Sequence, residues 1–259
     1  AADKAFAAAK VLDPENTLVS MSEKVGKLPL AFSPGKDWCY GISTDVLGRV
    51  VEVVGGKSLD AFLQQRILGP LDMRDTAFYV PADKQSRFAA NYTSDGKGTL
   101  TLLDDPAKSR YLQSPKLLSG GGGLVSTASD YLKFCRMMIN GGSLDGVQIL
   151  SPKTVELMTR NHLPDNKDLP SLSKSLFSEV TYNGIGFGLG FSVTMDPVKA
   201  MLPGSVGEYS WGGAATTSFW IDPKEDLIAI FMTQLMPSTH YPVRREFRTL
   251  VYSAFTQAN

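Results

Sequence analysis

The chain has 259 residues, of which 43% are hydrophobic and 20% charged, and its 26 basic side chains balance its 26 acidic ones. This composition predicts one or two globular domains with a hydrophobic core and excludes a disordered chain. Balanced charge, without a long run of either sign, gives no electrostatic field for nucleic acid or an anionic membrane. No stretch approaches the roughly 18 apolar residues that a membrane span needs.

The two cysteines, Cys39 and Cys135, lie far apart in the sequence. Their spacing predicts neither a disulfide framework nor a metal or redox motif. We expect each to be a small buried side chain. So few cysteines fit the cytoplasm and the periplasm equally well, and the compartment stays open.

Helices are predicted over most of the first part of the chain. Residues 1–27 are rich in Ala and Lys, with Pro14 as a break. A further helix is expected to be capped by Ser43 and to end at Gly55-Gly56, and the next begins at Ser58. The helix after Ser43 carries an apolar stripe at 3–4 spacing: Val46, Leu47, Val50, Val51 and Val54.

The middle of the chain is richer in turns. Residues 71–118 predict loops and short strands, and the glycines of 120–123 allow a sharp turn or a close approach to other chain. Thr127-Ala-Ser-Asp130 matches a helix start. Ser151-Pro152 predicts another helix, with the serine at the cap and the proline in the first turn.

From Asn183 onward the pattern becomes extended. Glycines alternate along 184–190, which would leave one face of a strand without side chains. "EYSWGGAATTSFWI" and "DLIAIFMTQL" predict two more strands, joined by a turn at 222–226. A last helix should cover the sheet with one stripe: Val243, Phe247, Leu250, Val251 and Phe255.

These elements predict an α+β fold. We expect residues 1–182 to form a mostly helical part, and residues 183–259 to form antiparallel sheet strands and a C-terminal helix. The charged stretch at the start does not resemble a signal peptide. It is typical of a helix that begins abruptly, as if the chain had been cut within a domain.

Several common catalytic machineries are not encoded. The nearest approach to G-x-S-x-G, around Ser205, lacks the first glycine. No Walker loop and no dinucleotide-binding glycine motif follows a strand. His162 and His240 stand alone, without a second ligand at metal spacing, so we expect two loop or surface histidines, no metal and no cofactor.

The S-x-x-K pattern can place a serine hydroxyl beside a lysine amine across one helical turn, and this pairing can activate the serine. It occurs three times, at Ser33–Lys36, Ser94–Lys97 and Ser171–Lys174. Each match lies in a segment that predicts a turn or loop rather than a helix. One or two matches are expected by chance, so we interpret all three as coincidental.

Three longer segments carry a more specific signal: "PGKDWCYGISTDVLGRVVEVVGGKSLDAFLQQRILGPLDMRDTAF", "GGGLVSTASDYLKF" and "SWGGAATTSFWIDP". In order and spacing they resemble the serine hydrolases related to class C β-lactamases, and most of all the family VIII carboxylesterases, which include acyltransferase-like members. The resemblance runs from about Leu28 to the C-terminus. It implies a β-lactamase-like fold and a small-molecule ester substrate.

The resemblance also implies roles for five residues. Tyr40 stands where the family carries its catalytic tyrosine, a proton relay or base, which nearby cations would have to activate. Trp211-Gly212-Gly213 stands where β-lactamases carry Lys/His-Thr-Gly on the strand that edges the active site. The glycines would let substrate lie against the backbone, and the N–H of Ala214 would be one oxyanion-hole donor. The glycines of 120–123 and 184–190 are expected to be structural.

The sequence also departs from the family pattern. Tryptophan replaces a cationic residue at Trp211, which favours neutral esters over penicillins. Ile42 stands where β-lactamases have asparagine. The family's S-x-x-K lies well upstream of its tyrosine, whereas only thirty-nine residues precede Tyr40. We therefore expect the nucleophile on a segment cut away from this chain or supplied by another polypeptide.

Two alternatives stay open. A β-lactamase or D-amino-acid peptidase would share the same fold. The chain could instead be an inactive fragment or binding scaffold, since Trp-Gly-Gly can be a packing device and a Trp-Cys-Tyr cluster can be part of a core. The sequence does not give the acyl-chain length, the alcohol or the oligomeric state.

Overall fold

A computed structural model describes residues 2–173 and 181–255 of the chain. Within them the helices are α1 Ala2–Ala8, α2 Leu18–Val25, α3 Ser43–Gly55, α4 Leu59–Leu63, α5 Ala128–Ile139, α6 Pro152–Met158, α7 Leu169–Leu172, α8 Pro197–Ala200 and α9 Val243–Ser253. A π-helical turn, Gln64–Leu68, continues α4, and short 3₁₀ turns lie at Ala82–Arg87, Arg110–Leu112 and Pro164–Asn166.

The strands are β1 Asn91–Ser94, β2 Leu100–Asp104, β3 Ser143–Leu144, β4 Val147–Gln148, β5 Ile185–Phe187, β6 Ser192–Thr194, β7 Tyr209–Gly212, β8 Ser218–Asp222, β9 Leu227–Phe231 and β10 Leu235–Met236. Strands β5 to β9 form an antiparallel sheet in chain order. A second sheet has the order β10-β1-β2, with β10 parallel to β1, and β3 pairs with β4. The predicted α+β class is confirmed by this architecture.

Helix starts that were predicted from local sequence are present. Thr127 caps α5 by accepting a hydrogen bond from the Asp130 N–H (3.2 Å). Ser151 caps α6 in the same way, with Pro152 in the first turn. At α3 the prediction was one residue out, because Ile42 occupies the cap and Ser43 is the first helical residue. The Gly56 cap at the end of α3 has a φ of 64°, which glycine adopts without steric cost.

The apolar stripe of α3 is covered only in part. Val46 and Val51 pack against a core formed by buried residues of the N-terminal helices, among them Met21 and Leu59. In contrast, Val50 and Val54 are exposed, Val54 to 83%. The predicted apolar stripe is therefore buried on one side only, and Leu47 is also exposed.

The five-stranded sheet lies between two helical layers. One face belongs to the larger core, where Tyr209 and Ile221 of the sheet meet Cys135 of α5. On the other face α9 packs through Phe247, whose ring lies 5.5 Å from that of Trp220. Leu250 is 70% exposed, so the predicted stripe of α9 does not lie wholly on the sheet.

The segment "EYSWGGAATTSFWI" forms two strands rather than the single strand that was predicted. Strand β7 ends at Gly212 and β8 begins at Ser218, and Trp211 pairs with Phe219 across the hairpin. Thr216, with a φ of 71°, helps to reverse the chain between them. The residues 213–217 that connect β7 and β8 are called the hairpin turn below.

The glycine-rich stretch 184–190 makes room for the protein's own chain. A β-carbon at Gly186 would collide with the Asn161 side chain, and one at Gly188 with the Met158 carbonyl oxygen. The face of this strand that lacks side chains is therefore occupied by the end of α6 and the loop that follows it.

Within residues 2–173 and 181–255, every helix is too short or too polar to cross a membrane.

The two cysteines differ in a way that the sequence did not predict. Cys135 is fully buried in α5, whereas Cys39 is exposed next to Tyr40. Burial raises the pKa of the Cys135 thiol to about 12. The expectation of two buried cysteines was wrong for Cys39, which lies on an irregular segment before α3.

We expect iodoacetamide to modify only Cys39 in the folded protein at pH 8, because alkylation requires an accessible thiolate. Intact mass should show one adduct under native conditions and two in guanidinium chloride. Peptide mapping should place the first adduct at Cys39. Two adducts formed at equal rates without denaturant would contradict the burial of Cys135.

Candidate active site

Tyr40 lies on the irregular segment that leads into α3. Two residues before it, Trp38 forms a bridge with Ser173, and its N–H donates to the Leu172 carbonyl oxygen (3.1 Å). The Tyr40 side chain is 49% exposed. Its ring stacks on that of Trp211, with centroids 6.1 Å apart and 26° between the planes.

The glycines of 120–123 hold the start of α3. Asp45, in the first turn of the helix, is buried and accepts hydrogen bonds from the Ser119 hydroxyl (2.5 Å) and the Gly121 N–H (3.3 Å). A β-carbon at Gly120 would collide with the Thr44 carbonyl oxygen. This close approach fixes the helix that begins three residues after Tyr40, so the glycines have a structural role.

An aromatic cluster connects Tyr40 to the edge of the five-stranded sheet. Phe187 of β5 makes edge-to-face contacts with Trp38 (5.2 Å between centroids) and with Trp211 (5.4 Å). Tyr182 stacks on Trp211 at 6.4 Å. Trp211 thus lies at the centre of several ring contacts, each of which adds roughly 0.5–1.5 kcal/mol to the burial of apolar area.

The hairpin turn is closed by its own backbone and by β10. The Gly213 N–H donates to the Thr217 carbonyl oxygen (2.9 Å), and the Thr216 N–H donates to the Gly213 carbonyl oxygen (3.1 Å). Leu235 of β10 donates its N–H to the Ala215 carbonyl oxygen (3.1 Å) and accepts from the Thr216 hydroxyl (2.6 Å). Ala214 itself is exposed.

Tyr40 and the hairpin turn border the same cavity. Its volume is about 400 Å³, and Tyr40, Trp211, Gly212, Gly213 and Ala214 all line it. Its floor includes three serines on adjacent strands of the sheet: Ser192, Ser210 and Ser218. Helix α9 contributes Arg244 and Arg248 to its wall. The structure thus brings together all five residues that the family resemblance assigned to the site.

The two glycines of the sheet edge are needed by the protein itself. A β-carbon at Gly212 would lie 3.0 Å from the guanidinium carbon of Arg244, and one at Gly213 would collide with the Thr217 hydroxyl. Close packing against Arg244 and Thr217 therefore accounts for glycine at both positions, and no bound substrate is needed to explain it. Arg244, Tyr182 and the segment 236–239 also line the cavity, and no local sequence pattern predicted that they would.

None of the three S-x-x-K serines lines this cavity. Ser33 and Lys36 lie in an exposed turn, where the Lys36 N–H donates to the Ser33 carbonyl oxygen (3.2 Å). Ser94 ends β1, and its hydroxyl hydrogen-bonds to that of Tyr241 (3.0 Å).

Ser171 lies in α7, and its hydroxyl hydrogen-bonds to the Asp168 carboxylate, while Lys174 lies outside the described residues. His162 and His240 are both exposed, as predicted. Within residues 2–173 and 181–255 no cluster of three or more His, Cys, Asp or Glu side chains is placed to hold a metal ion.

Comparison with known proteins adds sequence and structural similarity over most of the chain. A family model described as Beta-lactamase matches residues 2–253. An uncharacterized protein of Mycobacterium tuberculosis is 39% identical over 213 residues, which are 81% of this chain and 52% of that protein. The lovastatin esterase of Penicillium rubens is 32% identical over 234 residues, 86% of this chain and 56% of the esterase.

Among solved structures, EstCE1, described as a hydrolase with promiscuous acyltransferase activity, is similar with a TM-score of 0.74 and 26% identity. The similarity covers 92% of this chain and 62% of that one. The chain therefore spans about half the length of the curated relatives it matches and less than two thirds of this structural neighbour.

Proposed function

The chain belongs to the beta-lactamase family, and from this premise we propose that it carries the tyrosine and the oxyanion hole of a serine carboxylesterase. The enzyme would hydrolyse small carboxylic esters through an acyl-enzyme. The nucleophilic serine and its lysine would lie on a segment outside this chain, here called the serine segment. The single observation that supports the proposal is the cavity shared by Tyr40 and Ala214.

In the proposed reaction the serine oxygen attacks the ester carbonyl carbon while its proton passes to the Tyr40 phenolate or, through it, to the lysine. The carbonyl oxygen becomes an oxyanion that accepts a hydrogen bond from the Ala214 N–H. As the intermediate collapses, the alcohol takes the proton and leaves an acyl-serine. Water then attacks the acyl carbon and gives its proton to Tyr40. The second tetrahedral intermediate breaks the bond to the serine oxygen, which takes the proton back, and the carboxylic acid is released.

Tyr40 needs a nearby cation to act as a base at neutral pH, because an unperturbed phenol has a pKa of about 10. The lysine of the serine segment would supply that charge. The stacking of Tyr40 on Trp211 holds the ring at the cavity.

The substrate proposed is a neutral ester. Trp211 presents an apolar surface where β-lactamases place a cationic residue, and Arg248 of the cavity wall is paired with the Glu208 carboxylate (2.5 Å). The names of similar proteins, lovastatin esterase and the hydrolase EstCE1, agree with ester chemistry.

The alternative is a β-lactamase or D-amino-acid peptidase on the same scaffold, which the family match alone would equally allow. Ile42 in place of asparagine argues against efficient lactam turnover. A binding scaffold without activity is the second alternative, since the glycines of the sheet edge are accounted for by packing alone.

We expect the polypeptide that carries the serine segment to hydrolyse p-nitrophenyl butyrate with a kcat/KM at least about tenfold above that for nitrocefin. Both reactions can be followed by absorbance on one preparation. Comparable values would favour the lactamase alternative. Hydrolysis of neither compound would favour the scaffold.

A fluorophosphonate probe locates the nucleophile. The proposal predicts labelling on the serine segment and none on this 259-residue chain alone. Labelling of Ser33, Ser94 or Ser171 in the isolated chain would contradict the proposed position of the nucleophile.

A further inference from the structure

The carbonyl oxygen of Gly213 is bound by an arginine from a distant part of the chain. Arg244, the second residue of α9, donates a hydrogen bond from Nη2 to the Gly213 oxygen. The same nitrogen donates to the Thr217 oxygen (3.0 Å), and Nε lies 3.4 Å from the Thr216 oxygen. One guanidinium group thus holds three carbonyl groups of the hairpin turn.

The Gly213 carbonyl shares its peptide group with the Ala214 N–H. This peptide bond is trans, since Met236-Pro237 is the only cis bond within the described residues. In a planar trans peptide the C=O and N–H bonds point in opposite directions. Holding the Gly213 oxygen therefore fixes the direction of the Ala214 N–H, which donates to no acceptor within the described part of the chain.

We propose that Arg244 is the positioning residue of the oxyanion hole. Its guanidinium group binds the Gly213 carbonyl oxygen and thereby directs the Ala214 N–H into the cavity. This inference rests on the proposed function for its catalytic meaning. Rotation of the peptide group would turn the carbonyl, not the N–H, toward the substrate and leave the hole without its donor. Arg244 opposes that rotation with charge-assisted hydrogen bonds.

Two further features suit this role. A β-carbon at Gly212 would lie 3.0 Å from the Arg244 guanidinium carbon, so glycine at this position leaves room for the arginine. Helix α9 is itself anchored, because Phe247 packs on Trp220 and on Phe231, with ring centroids 5.5 and 5.1 Å apart. The hydrogen bonds to the hairpin turn are therefore donated from a helix that is packed on the sheet and not from a loop.

The positive charge also acts through the peptide group. A cation at the carbonyl oxygen polarises the amide and makes its N–H a stronger donor, since hydrogen bonds in a chain reinforce one another. Lysine would keep the charge but not the planar fork that reaches several carbonyls at once. An Arg244→Lys variant should therefore retain part of the effect and an Arg244→Gln variant almost none.

The test is amide hydrogen exchange of this chain, resolved by mass spectrometry of peptides that cover the hairpin turn and all five strands of the sheet, residues 185–231. In Arg244→Gln we expect exchange of the hairpin-turn amides, Gly213 and Thr216, to accelerate at least about tenfold. Arg244→Lys should fall between Gln and the parent. The matched control is Arg245→Gln. It removes the neighbouring positive charge, but the Arg245 side chain donates to the Met201 oxygen (2.9 Å) and not to the hairpin turn. Its hairpin-turn exchange should not change.

Unchanged exchange in Arg244→Gln would overturn the proposal. So would acceleration spread over all five strands in both the Gln and Lys variants, because Arg244 would then only attach α9 to the sheet. These outcomes do not depend on enzymatic activity. They test whether Arg244 holds the Gly213–Ala214 peptide group even if the proposed esterase function is wrong.

The catalytic consequence needs the polypeptide with the serine segment. There Arg244→Gln should lower kcat for p-nitrophenyl butyrate about 10- to 100-fold and leave KM within about twofold. Faster exchange together with an unchanged kcat would overturn the positioning role while leaving the esterase intact. A parent without any ester hydrolysis would instead contradict the proposed function, and the exchange result would then stand as a statement about the hairpin alone.

Discussion

Tyr40→Phe is expected to lower kcat for ester hydrolysis about 10²- to 10⁴-fold in the polypeptide that carries the serine segment, which is the usual range for loss of a proton-transfer group. The substitution removes only the hydroxyl. The ring that stacks on Trp211 at 6.1 Å remains, so substrate binding and folding should be retained. KM should therefore change little, and the loss should appear in kcat.

Tyr79→Phe is the matched control, because Tyr79 is also partly exposed (40%) but does not line the cavity. Its kcat should equal that of the parent. Thermal unfolding of both variants would show whether the fold is unchanged. If Tyr40→Phe hydrolysed the ester as fast as the parent, Tyr40 would have no role in proton transfer.

Arg248→Met is expected to lower the free energy of unfolding by about 3–5 kcal/mol, the usual cost of leaving one partner of a buried ion pair unpaired. Arg248 lies 2.5 Å from the Glu208 carboxylate, whose side chain is only 1% exposed. The Tyr252 hydroxyl lies within hydrogen-bond distance of both Glu208 (2.9 Å) and Asp222 (2.7 Å). Its single proton cannot serve both carboxylates, so Arg248 provides the main compensation for Glu208.

Urea unfolding measures this loss, and Arg245→Met is the control, since Arg245 is exposed and should cost no more than about 1 kcal/mol. Adding Glu208→Gln to Arg248→Met should recover part of the stability, because it removes the unpaired charge. A loss below about 1 kcal/mol for Arg248→Met alone would show that the buried carboxylate does not depend on the arginine.

The effect should depend on pH in a defined direction. Burial raises the pKa of the Glu208 carboxyl above its ordinary 4.5, and removal of Arg248 should raise it further. The folded variant then binds a proton that the unfolded chain releases, so its free energy of unfolding rises as pH falls through the folded pKa. The deficit of Arg248→Met relative to the parent should therefore be smaller at pH 5 than at pH 8.

Local sequence predicted the features whose causes are local. At Thr127 and Ser151 the cap side chain accepts a hydrogen bond from a backbone N–H only three residues away, and both caps are present as expected. The reversal within "EYSWGGAATTSFWI" was missed because its partners are distant: β10 and Arg244 both bind carbonyl groups of the hairpin turn. Similarly, exposure of Val54 and Cys39 depends on which elements pack nearby, and no short pattern gives that.

The candidate site was predicted by resemblance and not by local physics. Nothing in the residues around Tyr40 indicates that Trp211, far along the chain, will stack on its ring. The order and spacing of family segments supplied that link. Arg244 carries no such signal, because an arginine near the start of a helix is ordinary until the carbonyl groups it binds are located.

The parallel pairing of β1 with β10 has a consequence for biosynthesis. Tyr92 and Thr93 hydrogen-bond alongside Leu235 and Met236, so the β1–β2 hairpin obtains its third strand only from the end of the chain. At ~5–20 residues per second, a ribosome needs on the order of ten seconds or more to make the roughly 140 residues between them. During that interval the edge of β1 that later pairs with β10 presents unpaired backbone N–H and C=O groups, which can pair with another chain.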